Sequence, residues 1–362
     1  MEKIDRVEEY IENYFKKYQN YKSYWNYEDG CVLIGAVQLY DITGDKKYIE
    51  YVVSYLEKVV PENGVITNYQ IGKHNIDGFN CGKVLYRAYD YTNDKKFINA
   101  IEFLMEDLKK QPRTKNGNFW HKAIYPNQVW LDGLYMAQPF YTNYETRYNK
   151  SENYSDIVKQ FQNIRKFMRD TKTGLYYHAY DESKTMFWAD KKTGLSPNFW
   201  LRSIGWFIMA LADSINAMSE QIYEHYRALV DIFRELADDV IKFQDAQTKL
   251  FYQVVDHPEA KDNYTETSGS LMIAYSLMKG VNLGVLSREK FLDKGIEIFD
   301  NVVSQKLKDG KLTDICAVAG LGPDDKPWRN GTVEYYISEA KTDDDAKGVG
   351  PLIMAYSQRL AL

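Results

Sequence analysis

The feature that most limits the possible folds is a segment that occurs twice near the start of the chain. YDITGDKKYIEYV begins at Tyr40 and YDYTNDKKFINAI begins at Tyr89, so the period is 49 residues (89 − 40). Each copy ends an apolar stretch, turns at a Thr-Gly-Asp or Thr-Asn-Asp sequence, and begins an amphipathic stretch. Self-similarity at such a period is typical of repeated structural units. The unit is therefore predicted to be a hairpin of two helices.

Hydrophobic periodicity extends this pairing along the whole chain. CVLIGAVQLY at 31–40 is apolar on every side, which is typical of a helix that is buried all round, whereas residues 4–18 carry a single apolar stripe. Buried inner helices are expected near residues 31–40, 78–91, 131–144, 202–217, 267–280 and 350–361. Amphipathic outer helices are expected near residues 4–18, 46–60, 95–110, 153–169, 219–243 and 287–307. Six such hairpins predict an all-α fold, the (α/α)6 barrel, in which the first helix closes the ring against the last.

Two segments interrupt the helical pattern and favour short β structure. DTKTGLYYHAYD at 170–181, followed by MFWAD at 186–190, has the alternation and turn residues of a short hairpin, and DAQTKLFYQVVD from Asp245 echoes it. We place these short β-hairpins in the loops at the cleft end of the barrel. No Pro/Ser-rich linker divides the sequence, so residues 1–362 are expected to form one domain.

Composition excludes several classes of partner. The net charge is −5 and no basic block occurs, which argues against nucleic acid and against a polybasic membrane surface. The N-terminal sequence has charges throughout and no apolar run, so neither a signal peptide nor a membrane span is expected. Cys31, Cys81 and Cys316 lack the CxxC spacing, which favours a reducing compartment and a cytoplasmic protein. Aromatic residues make up 15% of the chain, and flat rings with polar edges suit carbohydrate faces.

Side chains that can carry chemistry precede successive inner helices. Asp77 precedes the second predicted inner helix, Asp132 the third and Arg202 the fourth, while Glu266 and Ser268 precede the fifth. In an (α/α)6 barrel the N-termini of the inner helices meet at one face, so these groups are expected to line one cleft. An Asp at a helix start also has a structural role as an N-cap. The Trp, His and Lys residues in the loops beside Asp77 and Asp132 favour function over capping alone.

Asp132 is the predicted proton donor, and its position sets a physical requirement. It follows a loop that contains Trp120, His121, Lys122, Tyr125 and Trp130. The N-terminus of a helix lowers a carboxyl pKa, whereas a general acid needs a raised pKa. The nearby carboxylate of Asp77 and a water-excluding wall of Trp120, Trp130 and Trp200 are expected to raise the pKa of Asp132.

Other candidate residues favour an anionic ligand over a metal. His74, His121 and His178 lie in predicted cleft loops but show no compact metal-ligand spacing, so neither a metal nor another cofactor is expected. Arg202 beside Trp200 suits an acidic sugar through a two-pronged donor and a stacked ring. The alternative role for Arg202 is a salt bridge to one of the two aspartates.

Seven motifs, in this order, carry a resemblance to a known family. They are WNYEDG (25–30), HNIDGFNCGK (74–83), FWHKAIYPNQVWLDGLYMAQPF (119–140), GLYYHAYD (174–181), NFWLRSIGW (198–206), TETSGSLMIAYSL (265–277) and GTVEYYISEAK (331–341). The sequence resembles the unsaturated rhamnogalacturonyl hydrolases of glycoside hydrolase family 105 and, more distantly, the unsaturated glucuronyl hydrolases of family 88. The resemblance implies an (α/α)6 barrel and a substrate that ends in a 4,5-unsaturated uronic acid.

The same resemblance assigns roles to particular residues. It implies that Asp132 is the catalytic acid/base and that Asp77 is its carboxylate partner. It implies a substrate-binding set of His178, Trp200, Arg202, His121, Lys122, Met136 and Tyr27. In the implied reaction Asp132 protonates C4 of the enol ether, water adds at C5, and the hemiketal opens to release the neighbouring sugar. The expected substrate is an unsaturated galacturonyl unit from rhamnogalacturonan or a related pectic oligosaccharide, and no cofactor is needed.

Two other functions remain open from the residues alone. A conventional inverting glycosidase on the same barrel would use one aspartate as acid and the other as base. A non-catalytic helical-repeat interaction protein would also show paired helices with a constant period. The sequence is compatible with a monomer or a homodimer.

Overall fold

In a computed structural model the chain forms two concentric rings of helices. The structure describes residues 3–18, 22 and 24–362. In chain order the helices are α1 (Lys3–Lys17), α2 (Tyr27–Thr43), α3 (Lys46–Val59), α4 (Lys83–Thr92), α5 (Lys95–Leu108), α6 (Leu131–Tyr148), α7 (Tyr154–Met168), α8 (Leu201–Ala217), α9 (Tyr223–Val240), α10 (Thr267–Asn282), α11 (Arg288–Lys306), α12 (Val333–Ser338) and α13 (Ala346–Leu360). Short 3-10 helices span Ile76–Phe79 and Ile241–Phe243. The predicted all-α (α/α)6 barrel is confirmed.

The inner ring consists of α2, α4, α6, α8, α10 and α13, each packed on the next, and α13 closes it against α2. Two glycines allow that closing contact. A Cβ added at Gly350 would lie 2.5 Å from the carbonyl oxygen of Cys31, and one added at Gly35 would lie 2.9 Å from Ile353. The two backbones approach closely because neither glycine has a side chain. A closed ring of this kind is not the open stack of a helical-repeat interaction protein.

The outer ring closes between α1 and the end of α11. Arg6 Nη2 donates to the carbonyl oxygen of Leu307 at 2.6 Å, and Lys3 lies 3.7 Å from Asp300. The first and last helices therefore both belong to one closed structure. We propose that residues 1–362 form a single catalytic domain; residues 1–2, 19–21 and 23 lie outside the described residues.

The turn inside each repeated segment explains why the sequence repeats. Gly44 and Asn93 end their helices in the left-handed region, at φ 69° and 55°. Asp45 and Asp94 follow them directly, and each carboxylate accepts the backbone N–H two residues later at 3.0 Å, which caps the next helix. The Thr-Gly/Asn-Asp sequence thus ends one helix and starts its partner.

Short strands join the loops at one end of the barrel. They are β1 (Gln128–Trp130), β2 (Ala179–Asp181), β3 (Leu307–Lys308), β4 (Lys311–Leu312), β5 (Ile315–Cys316) and β6 (Lys341–Thr342). β1 and β2 pair antiparallel, with Trp130 opposite Ala179. The pairing therefore joins the loop before α6 to the loop before α8, whereas the sequence favoured a hairpin within 170–190. Within that segment the chain folds back through single bridges, Arg169 with Tyr176 and Tyr180 with Leu195.

Among the described residues, no helix is both long and apolar enough to cross a membrane. Cys31, Cys81 and Cys316 are buried and unpaired.

Candidate active site

The loops that precede the inner helices are held together by backbone pairings. Asn75 bridges Lys122, β1 pairs with β2, and Trp200 bridges Val254. The openings of α4, α6, α8 and α10 therefore form one continuous rim. This rim positions Asp77, Asp132 and Arg202 at the same end of the barrel.

Asp132 is the second residue of α6, and its nearest ionisable neighbour is His178. The Asp132 side chain is 14% exposed, and its Oδ2 lies 3.3 Å from Nε2 of the fully buried His178. Neither atom has another hydrogen-bond partner among the described residues. On the other side of the imidazole ring, Nδ1 lies 2.8 Å from the hydroxyl of Tyr336. A carboxylate, an imidazole and a phenol thus form one buried chain.

The pKa of Asp132 is held below its usual range in the free protein. Burial raises this pKa, but the contact with His178 and the electrostatic effect of the His178 and His121 rings together outweigh burial. The predicted raised pKa of Asp132 is therefore wrong for the free protein. The expectation relied on Asp77 and an aromatic wall, whereas the nearest ionisable neighbour of Asp132 is His178.

Asp77 is engaged by Lys122 and faces His121. Lys122 Nζ lies 2.6 Å from Asp77 Oδ2, and His121 Nε2 lies 3.8 Å from Asp77 Oδ1. Burial lowers the pKa of Lys122, but Asp77 outweighs burial and the net pKa is raised. Burial lowers the pKa of His121 to about 4, with Asp77 opposing it. His121 is therefore neutral at physiological pH, and Lys122 supplies the cation beside Asp77.

Aromatic rings pack against the two histidines of this site. The rings of His121 and Trp130 stack with centroids 4.4 Å apart, and the ring of Tyr125 also stacks on Trp130, with centroids 4.8 Å apart. Trp130 also meets the His178 ring edge-on at 5.2 Å. The role of Trp130 as a water-excluding wall stays a prediction, and its ring packs against both histidines of the site.

Arg202 lies beneath Trp200 and is not paired with an acid. Its guanidinium carbon lies 4.8 Å from the Trp200 ring, and Trp200 lies 4.8 Å from the His178 ring. Its Nη1 donates to the carbonyl oxygen of Cys316 and, at 3.4 Å, to Ser268 Oγ. Within residues 3–18, 22 and 24–362 no carboxylate lies at ion-pair distance from Arg202, and its Nε has no partner. The alternative salt bridge from Arg202 to Asp77 or Asp132 is therefore not present.

The two remaining predicted residues, Tyr27 and Met136, lie on α2 and α6. Tyr27 begins α2, and its carbonyl oxygen accepts a hydrogen bond from Asn80 Nδ2 at 2.8 Å. Burial raises the pKa of Tyr27, Asp77 adds to this effect, and Arg202 opposes it, so the phenol lies within electrostatic reach of both. Met136 is one turn beyond Asp132 and packs in the main hydrophobic core.

The comparisons with known proteins agree with this geometry. The sequence profile of Glycosyl Hydrolase Family 88 matches residues 3–362. The chain belongs to this family. It is therefore a glycoside hydrolase, as the motif order indicated.

Individual relatives of this family 88 enzyme support the assignment. The structure of a glycoside hydrolase from family 105 of C. acetobutylicum is 40% identical, covers 98% of this chain and 99% of that one, and superposes with a TM-score of 0.93. The unsaturated rhamnogalacturonyl hydrolase YesR of Bacillus subtilis is 24% identical over 299 residues, which is 81% of this chain and 79% of YesR. An unsaturated glucuronyl hydrolase specific for heparin shares the fold, with a TM-score of 0.68 and 14% identity over 98% of this chain and 96% of that one.

Two residues near the family 88 site were not assigned a role from the sequence. Tyr336 contacts His178, and Gln253 connects the rings around it. Gln253 Oε1 accepts from Trp200 Nε1 at 3.2 Å, while its Nε2 donates to the carbonyl oxygen of Tyr336 at 3.1 Å. The motif GTVEYYISEAK contains Tyr336 and was the available signal, but spacing alone gives no contact across 158 residues.

Glu266, in contrast, has a structural role. Its carboxylate accepts the backbone N–H of Ser268 at 3.1 Å and of Gly269 at 2.7 Å, which caps α10, and it also accepts the N–H of Cys316 at 3.0 Å. A carboxylate whose oxygens are engaged in this way holds the β5 loop against α10.

A cavity of about 400 Å³ lies at the opposite end of the barrel, between the C-terminal halves of the inner helices. Its charged groups largely pair with each other: Lys279 lies 2.9 Å from Asp213, and Arg87 lies 2.6 Å from Asp41. Pairing of this kind is typical of a stabilised helix end, where cations favour the C-terminus. We therefore place the active site at the Asp132 end.

Proposed function

We propose that this family 88 enzyme removes a 4,5-unsaturated uronic acid from the non-reducing end of an oligosaccharide by hydrating its enol ether double bond. The observation that carries the proposal is the combination of Asp132 with Arg202. A buried carboxylate that contacts an imidazole shares one aromatic cluster with a buried arginine that has no acidic partner in the described chain. A buried guanidinium without an anion is a ready site for the carboxylate of a uronic acid.

The proposed reaction uses Asp132 twice. Its proton passes to C4, and the developing positive charge is shared between C5 and the ring oxygen. Water then adds to C5 and returns a proton to Asp132, which restores the carboxyl group. The C5 hemiketal opens, the bond to the neighbouring sugar breaks, and a keto-uronate and the shortened oligosaccharide leave.

The lowered pKa of Asp132 in the free protein is compatible with this cycle if substrate binding changes it. A uronate carboxylate that enters the site brings a like charge close to Asp132 and displaces water, and both effects raise the pKa of Asp132. The carboxylate form suits the second step, in which Asp132 takes a proton from water. The proton for the first step is therefore taken up with the substrate.

The other residues bind and orient in this proposal. Asp77 supports the acid/base and is held in place by Lys122 at 2.6 Å and by His121 at 3.8 Å. Trp130 and Trp200 exclude water, Arg202 holds the uronate carboxylate, and His178 holds Asp132. Tyr27 and Met136 complete the floor of the subsite.

We further propose an unsaturated galacturonyl unit derived from rhamnogalacturonan, or a related pectic oligosaccharide, as the substrate. The relative YesR is named as an unsaturated rhamnogalacturonyl hydrolase, and that name supports the proposal. We also propose a cytoplasmic location, because unpaired cysteines such as Cys31, Cys81 and Cys316 are usual in reducing compartments.

The test is a hydrolysis screen on unsaturated disaccharides that differ only in the leaving sugar. The conjugated double bond of the uronate absorbs in the ultraviolet, and hydration removes that absorbance. We expect the absorbance to fall with a disaccharide whose leaving sugar is rhamnose, and the saturated analogue to remain intact. Unchanged absorbance across the panel contradicts the proposal, and cleavage of the saturated analogue instead indicates the inverting glycosidase.

A further inference from the structure

We propose that Tyr336 is a positioning residue, which fixes the tautomer of His178 and through it the charge state of Asp132. This inference rests on the proposed function, because it describes how the same site controls its acid/base. Tyr336 lies on α12, His178 directly precedes β2, and Asp132 is the second residue of α6. The three side chains come from three separate parts of the chain.

The contact between Tyr336 and His178 is fully buried. Both residues are 0% exposed, and the phenol oxygen lies 2.8 Å from Nδ1. Trp200 stacks on Tyr336 with ring centroids 6.0 Å apart and tilts against His178 at 4.8 Å. Gln253 ties this cluster together through Trp200 Nε1 and the backbone of Tyr336. Neither ring can turn away without disturbing the packing of the others.

The hydrogen bond between Tyr336 and His178 favours one tautomer of the imidazole. The Nδ1 contact is the single hydrogen bond that the Tyr336 hydroxyl makes within the described residues. If that hydroxyl accepted a hydrogen bond from Nδ1–H, its own proton would be buried without an acceptor, which is unfavourable. The hydroxyl therefore donates to Nδ1. In a neutral imidazole the proton must then lie on Nε2.

The Nε2 atom lies beside Asp132. Nε2 and Asp132 Oδ2 are 3.3 Å apart without the alignment of a full hydrogen bond, and neither atom has another partner in the described chain. An N–H beside a carboxylate favours the ionised form, whereas a bare ring nitrogen would favour the protonated form. Tyr336 therefore holds Asp132 as a carboxylate in the resting enzyme, although it does not touch Asp132 itself.

The other ionisable groups around Asp132 come from neighbouring loops. They are His178 before β2, His121 and Lys122 before β1, Tyr336 on α12, and Asp77, which reaches the site through His121. His121 is neutral, since burial lowers its pKa to about 4, and Lys122 is paired with Asp77. His178 is the closest of these groups to Asp132, so its tautomer has the largest influence.

Removing the hydroxyl of Tyr336 should weaken the preference of His178 for the Nε2–H tautomer. In Tyr336→Phe the Nδ1 atom loses its donor, so the Nδ1–H tautomer becomes accessible and Nε2 can accept a proton from a neutral Asp132. Tyr335→Phe is the matched control. Tyr335 is the adjacent residue on α12, and its hydroxyl bonds to Glu339 at 2.6 Å and to the N–H of Gly320 at 3.0 Å, away from His178.

The experiment combines two readouts on the full-length enzyme. Nitrogen-15 NMR of the imidazole, with the His178 signals assigned from a His178→Gln spectrum, reports which ring nitrogen carries the proton. The pH profile of kcat/KM reports the ionisation of Asp132. In the wild type we expect protonated Nε2, and in Tyr336→Phe we expect Nδ1–H signal together with an ionisation shifted upward by roughly one pH unit, a tenfold change in the protonation ratio. Tyr335→Phe should change neither readout.

Two results would overturn the positioning role of Tyr336. An Nδ1–H tautomer in the wild type overturns the inference, as does a Tyr336→Phe enzyme with an unchanged tautomer and an unchanged pH profile. If Tyr336→Phe does not fold, the wild-type spectrum decides alone, because it requires no variant. The tautomer is measured without substrate, so a failure of the proposed reaction in the absorbance assay is distinguishable from a failure of this inference.

Discussion

Replacing Asp132 by Asn tests the site most directly. The substitution keeps nearly the same shape, and an amide oxygen can still face His178 Nε2, which is 3.3 Å from the native carboxylate. What is lost is the ability to donate and accept a proton. A positioned general acid or base contributes roughly 10²–10⁴ in rate, so kcat should fall by that factor, which corresponds to a rise of about 2.7–5.4 kcal/mol in the activation free energy.

The same substitution should leave the fold nearly unchanged. The contact between Asp132 and His178 is not a well-aligned hydrogen bond, so its loss should cost no more than about 1 kcal/mol. The assay is the ultraviolet absorbance of an unsaturated disaccharide, measured beside thermal unfolding of the same sample.

Asp213→Asn is the matched control for Asp132→Asn. Asp213 is another buried aspartate on an inner helix, at the opposite end of the barrel, where it accepts from Tyr275 at 2.5 Å and from Lys279 at 2.9 Å. Its replacement leaves Lys279 buried without its counter-ion, at a cost of about 3–5 kcal/mol, but does not touch the reacting atoms. Asp132→Asn should therefore lose activity and keep stability, whereas Asp213→Asn should do the reverse. A fully active Asp132→Asn enzyme would refute the assignment of the acid.

Three further predictions concern pH, substrate contact and stability. Because the pKa of Asp132 is lowered in the free protein and the protonated form is needed first, kcat/KM should rise as pH falls below neutral. Since the bound uronate raises the pKa of Asp132, kcat should stay constant to a higher pH than kcat/KM. Coincident pH profiles of kcat and kcat/KM would contradict this prediction. Lys122→Met removes the 2.6 Å ion pair with Asp77 and should lower kcat/KM about tenfold, roughly 1.4 kcal/mol, and an unchanged value in the absorbance assay would exclude Lys122 from the substrate contacts. Glu145→Gln weakens an acceptor of the Asn153 N–H at 2.9 Å, far from the site, and should lower the free energy of unfolding in urea by about 1.5–3 kcal/mol with kcat unchanged.

The sequence by itself determined the architecture and the location of the cleft. The Thr-Gly/Asn-Asp turn predicts a helix end and a helix start from local chemistry, and both copies make those caps through Asp45 and Asp94. Apolar periodicity then predicts which helix of each pair is buried. Several helix boundaries differ from the prediction by about four residues, and the start of α4 moved for a local reason: α4 begins at Lys83, not at 78, because Ile76–Phe79 forms a 3-10 turn capped by Asn75.

Tertiary structure alone decided how the site residues act on each other. The sequence placed Asp132 and Asp77 in one cleft, but the sign of the Asp132 pKa shift depends on which group is nearest, and that group is His178. Coulomb and hydrogen-bond energies change steeply over a few ångströms, whereas sequence spacing fixes position only to within a helix turn. The contact of Tyr336 with His178 joins residues 158 apart, so no local pattern encodes it. Local turn and helix sequences therefore specified the barrel, whereas contacts between distant loops specified how Asp132, His178 and Tyr336 interact.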